Sequence, residues 1–102
     1  MSRKPERVAD YRIAADALTD LEAIAEYIFA DNPVRSVSFI DEIIERFGTI
    51  ADRPTSFPVS ADLPPGIRSA LHGQYRIIFE IVEGIPHFLR VLHGARDISR
   101  LL

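Results

Sequence analysis

The side chains best suited to chemistry in this 102-residue chain lie in its last third: Arg68, Arg76, Arg90 and His93, followed past Gly94 by Arg96 and Asp97. Arginine clamps phosphate, and histidine exchanges a proton near neutral pH. Such groups are the parts of an RNA-cleaving site, which must activate a 2′-hydroxyl, stabilise a charged phosphorane and protonate the leaving oxygen. Each also has a plainer role. His93 closes a strand. Arg90 sits in an apolar run and needs a carboxylate, for which Glu80, Asp20 and Glu42 are available. Asp97 is placed to cap a short terminal helix. On these readings no residue is favoured as catalytic.

Other chemistries find less support. His72, His87 and His93 fall in three segments without ligand spacing, so no metal is expected. Cysteine is absent, which excludes a disulfide framework or a thiolate site. Ser69 and Ser99 lack the turn that exposes a nucleophile, and no glycine-rich phosphate loop is present, so no cofactor is expected. The formal net charge of −3 does not suit an obligate nucleic-acid binder, whose affinity comes largely from phosphate contacts, so direct DNA binding is not expected. No stretch approaches the ~20 apolar residues of a membrane span. The N-terminal residues lack the apolar segment of a secretory signal. The expected location is the cytoplasm.

These residues must be positioned by a small α+β unit, read as a single domain over residues 1–102. VADYRIA alternates, which predicts a first strand with Ala9, Tyr11 and Ile13 on one face. Leu18, Leu21, Ile24, Ala25 and Ile28 make the stripe of an amphipathic helix, with Asp16 or Thr19 as its cap. Asn32-Pro33 ends that helix and opens another, whose stripe is Val37, Ile40, Ile43, Ile44, Phe47 and Ile50. The two should form an antiparallel hairpin over one sheet face, with the other face left open. DRPTSFPVSADLPPG is a proline-rich loop. Three further strands follow: Ile67 to Leu71, the QYRIIFEIVE run, and HFLRVLHG; DISRLL makes a short helical tail. A turn at Glu83–Pro86 would place Arg76 opposite His93 and Phe79 opposite Arg90.

Three stretches, YRIAADALTDLEAIAEYI, NPVRSVSFIDEIIERFGTIADRP and GIRSALHGQYRIIFEI followed by RVLHGARD, together resemble the RelE/ParE superfamily of type II toxin–antitoxin toxins, often labelled plasmid stabilisation proteins. The resemblance spans nearly the whole chain and is nearer the ParE-like branch. It implies the same strand, helix hairpin and antiparallel sheet. It also implies growth inhibition through contact with DNA gyrase, with a ribosome-dependent mRNA interferase of the RelE type as the alternative. RelE-like sites are rich in lysine and arginine and often carry a late tyrosine; here the one lysine is Lys4 and no tyrosine follows Tyr75. The implied partner is a small DNA-binding antitoxin, of the ribbon-helix-helix kind, whose disordered tail folds around the toxin to give a hetero-oligomer. Arg12, Tyr27, Arg35, Arg46 and Arg53 are the candidates for that contact. His93, Arg96, Asp97, Arg100 and Leu101 are the candidates for the target.

Overall fold

A computed structural model describes residues 10–94. The terminal tail and its residues Arg96, Asp97, Arg100 and Leu101 lie outside the described residues, as does Ala9. Strand β1 (Arg12–Ile13) leads directly into helix α1 (Ala15–Phe29). Ala14 is extended, donates its N–H to the Phe88 carbonyl at 2.9 Å, and forms the N-cap without a side-chain bond. Asp16 and Thr19 therefore lie inside the helix rather than capping it. The sheet bond made by Ala14 sets where the helix starts, overriding the local capping signal. Asp16 still favours the positive end of the helix dipole.

Helix α2 (Pro33–Asp52) starts as the sequence predicts. The Asn32 side chain accepts from the Arg35 N–H at 3.0 Å, and Pro33 takes the first turn, where a missing N–H costs nothing. Both helices pack on one face of a four-stranded sheet ordered β1, β4, β3, β2, with β2 at Arg68–His72, β3 at Tyr75–Val82 and β4 at Ile85–His93. The pairs β2–β3 and β3–β4 are antiparallel; β1 adds in parallel to β4, so the sheet is mixed.

The main core lies between hairpin and sheet. Leu21, Ile24, Phe39, Ile43, Phe47 and Ile50 meet Ala70, Ile77, Phe79, Phe88 and Val91. Phe47 stacks on Phe88 at 4.2 Å between centroids, and Tyr11 packs edge-on to both. Burying each such ring stabilises the fold by about 1.5–3 kcal/mol. Three residues of the expected stripes are exposed instead of joining this core: Leu18 is 48% exposed, Val37 64% and Ile44 40%. The sheet covers only the arc centred on Leu21 and Ile43, while a stripe counted from spacing is wider than that arc.

The second sheet face, expected to be open, is covered in part. The proline-rich segment folds back and buries Leu63 and Ile67 against Ile78 and Leu92, with Leu89 beside them. Ser60 and Ser69 share a hydroxyl hydrogen bond of 2.6 Å, and Arg76 donates to both carboxylate oxygens of Asp62 at 2.9 and 3.3 Å.

The β3–β4 turn is two residues, Glu83 and Gly84, both with positive φ (52° and 81°). That is the twist-compatible turn of a tight hairpin. Pro86 lies within β4 opposite Ile81 instead of in the turn. A bulge then follows: Phe79 faces Phe88 while Ile78 faces Arg90, leaving Leu89 as the extra residue. The expected register is corrected accordingly. His93 pairs with Tyr75, Arg76 with Leu92, and Phe79 with Phe88. Turn placement and the bulge both shift the pairing, and neither leaves a period-two signature.

Candidate partner-binding site

The four groups of the nuclease reading do not converge. Arg90 reaches across to α1 and binds Asp20 in fork geometry, Nε to Oδ2 at 2.8 Å and Nη2 to Oδ1 at 2.9 Å. Asp20 Oδ2 also accepts the Val91 N–H at 2.9 Å. Of the three carboxylates available in the sequence, Asp20 is the one used. The bond to Asp20 raises the guanidinium pKa further, so Arg90 stays charged. Arg76 lies on the sheet face away from the helices and bonds Asp62 and the Ser69 hydroxyl. Arg68 donates to the Phe57 carbonyl. His93 Nε2 is 3.3 Å from Gln74 Oε1, with its ring edge-on to Tyr75 at 5.6 Å. Arg76 and His93 are thus not the cross-strand neighbours that the expected register made them.

What the topology does assemble is a cleft between α1 and the far ends of β3 and β4, about 160 Å³ in volume. Ile24 and Val91 form its apolar floor, and Tyr27, Tyr75 and His93 its polar rim. Burial, and to a smaller extent Tyr27, pushes the Tyr75 phenol pKa up, so it remains a hydrogen-bond donor at neutral pH. Gly94 closes this end by donating its N–H to the Gln74 carbonyl at 2.7 Å. A Cβ there would sit 3.3 Å from that oxygen, so a side chain at position 94 would require the Gln74 carbonyl to shift by a few tenths of an ångström. Two phenols and an imidazole over an apolar floor offer shape and hydrogen bonding, a lining of the kind that can receive a side chain. Tyr75 and Gln74 were not singled out in the sequence. Alternation showed that Tyr75 shares a face with Ile77, but the partner across the strand depended on the bulge.

The residues named for antitoxin contact spread over a broad surface. Tyr27 is 78% exposed and also edges a larger groove at the hairpin tip with Asp31, Asn32 and Arg35. Arg35 is held by Glu42 at 2.6 Å and lies over the Phe39 ring. Glu42 also meets His72 Nε2 at 3.2 Å, and both contacts, Arg35 first, lower its pKa. Arg46 donates to the Leu71 carbonyl on β2 and covers Phe57. Arg12 and Arg53 are exposed. Among the described residues, no group of three or more metal-ligating side chains comes together, and no helix is long and apolar enough to cross a membrane.

The sequence profile of the ParE toxin of type II toxin-antitoxin system, parDE, matches residues 11–98. The chain belongs to the ParE toxin family. Its fold is similar to that of a chain of the chromosomal ParDE toxin–antitoxin system from P. aeruginosa, with a TM-score of 0.72 and 16% identity over 86% of this chain and 98% of that one. It is also similar to a chain of the toxin-antitoxin complex RelBE2 from Mycobacterium tuberculosis, with a TM-score of 0.62 and 23% identity over 84% of this chain and 98% of that one. At such identities the likeness is one of fold. No curated protein matches the sequence significantly. As a member of the ParE family the chain is the toxin of a type II toxin–antitoxin system.

Proposed function

We propose that this ParE-family toxin acts in the cytoplasm by protein–protein contact with DNA gyrase and is held inactive by a cognate antitoxin. The observation that carries the reading is the separation of Arg68, Arg76, Arg90 and His93. Arg76 is bound to Asp62 on one sheet face and Arg90 to Asp20 beside α1. A phosphate clamp requires such groups to converge on one substrate position. The antitoxin is a small ribbon-helix-helix protein whose disordered tail orders on the toxin, filling the Tyr27–Tyr75–His93 cleft and meeting Arg12, Arg35, Arg46 and Arg53. His93 and the residues after it, Arg96, Asp97, Arg100 and Leu101, contact the target.

Expression from a tightly repressed promoter separates this from the second reading, a ribosome-dependent mRNA interferase, which the fold likeness to the RelBE2 complex keeps in view. Filamentous cells with an induced DNA-damage response are expected. Prompt translation arrest with cleaved transcripts would overturn the gyrase reading. Removing residues 95–102 should reduce toxicity more than antitoxin affinity; equal loss of both would count against a C-terminal target contact.

A further inference from the structure

The outer face of the helix hairpin is used neither by the core nor by the contacts described above. Leu18, Phe29, Val37 and Ile44 are all exposed there. Helical spacing puts Leu18, Ala25 and Phe29 on one side of α1. That side turns towards α2, where the Ser36 hydroxyl donates to the Ala25 carbonyl at 2.7 Å. The same spacing puts Val37 and Ile44 on the flank of α2 away from Arg35, Glu42 and Arg46, which reach towards β2 through His72 and the Leu71 carbonyl. An apolar seam therefore runs along the hairpin, from Leu18 and Ile44 to Phe29 and Val37. Near its tip a groove of about 290 Å³ opens between Ala25, Phe29, Ala30 and Ser36.

The seam is flanked by acids. Glu22 and Glu26 on α1 and Asp41 and Glu45 on α2 are exposed. Residues 15–29 and 33–52 together carry eight acidic residues and two arginines, and the rest of the chain carries seven acidic and ten basic ones. Both helical arginines lie on the β2 flank, not beside the seam. A second copy of the chain would bring the same acids against these, which is repulsive. An acidic antitoxin tail is disfavoured for the same reason and is better matched to the arginines elsewhere.

We propose that this face docks a basic amphipathic helix of a protein partner, separately from the cleft at His93. Its apolar residues would enter the seam at third and fourth positions, and its lysines or arginines would pair with Glu22, Glu26, Asp41 and Glu45.

The test uses the full chain and two labelled synthetic helical peptides with leucines at third and fourth positions, one flanked by lysine and one by glutamate, read by fluorescence anisotropy. The lysine peptide should bind and the glutamate peptide should not. Leu18→Ala with Val37→Ala should weaken the lysine peptide about tenfold. Glu22→Lys with Asp41→Lys should reverse the preference. Circular dichroism confirms that each variant folds. Equal binding of both peptides, or lysine-peptide binding unmoved by either double variant, overturns the proposal. So does self-association of the chain through these residues, read by sedimentation. Growth arrest by the unsubstituted chain is scored in parallel: a chain that arrests growth yet shows no preference between the two peptides overturns this inference while leaving the toxin assignment standing.

Discussion

Arg90 looks from sequence like a functional misfit in an apolar strand, and its geometry makes it structural. Its fork on Asp20 joins β4 to α1, and the same carboxylate takes the Val91 N–H. Both side chains are largely shielded, at 18% and 10% exposure, so removing one leaves the other charge poorly solvated. Arg90→Ala should cost about 2–4 kcal/mol in urea unfolding. Asp20→Asn, which can still accept from Val91, should cost less, about 1–2 kcal/mol. An Arg90→Ala protein that melts with the parent yet is no longer toxic would show that Arg90 touches the target instead. A second local test is Asn32→Ala. It removes the side-chain cap of α2 and should cost about 1 kcal/mol.

At the level of strands and loops, the β3–β4 hairpin combines a favourable turn with one unfavourable residue. Glu83 adopts φ 52°, a conformation that asparagine accepts more readily. Glu83→Asn should therefore stabilise the protein by about 0.5–1 kcal/mol, read as a higher urea midpoint with unchanged slope. The proline-rich loop is less slack than its composition suggests, because Leu63 and Ile67 supply half of the second-face cluster. Leu63→Ala should cost about 2–3 kcal/mol and loosen this face first, seen as faster hydrogen exchange at the Ile67 amide. The sheet edges are guarded in a related way. Asp20 takes an outward N–H of β4 and Arg46 a carbonyl of β2, which blunts pairing with stray strands.

Across the fold, acid should act on the loop before the core. Hydrogen bonding from Arg76 lowers the Asp62 pKa below its ordinary value of 3.8, and Arg35 followed by His72 lowers that of Glu42. A carboxylate depressed in the folded state contributes stability above its unfolded pKa and loses it as pH falls through the folded value. Both acids are solvent-exposed, so their effect on global stability is small. As pH falls below the ordinary aspartate value of 3.8, protection at the Leu63 and Ile67 amides should fall ahead of that at Ile77 and Phe79. Simultaneous loss in both places would show that Asp62 does not hold the loop.

The order strand, helix hairpin, three strands was legible in the chain because each element carries a local signal: alternation in QYRIIFEIVE, a 3.6-residue stripe in α2, and Asn32-Pro33 at the joint. The strand end at His93 was legible too, since Gly94 breaks the run. The ParE resemblance rested on the same order and spacing. Nonlocal matters were not readable in this way. Which carboxylate answers Arg90 depended on how α1 crosses β4. Tyr75, and not Arg76, faces His93 because a two-residue turn and a bulge at Leu89 set the register. Leu18, Val37 and Ile44 read as core because spacing counts apolar residues but not the width of sheet that covers them. Local periodicity specifies what each element is; partners and exposed faces follow from the packing of elements distant in sequence.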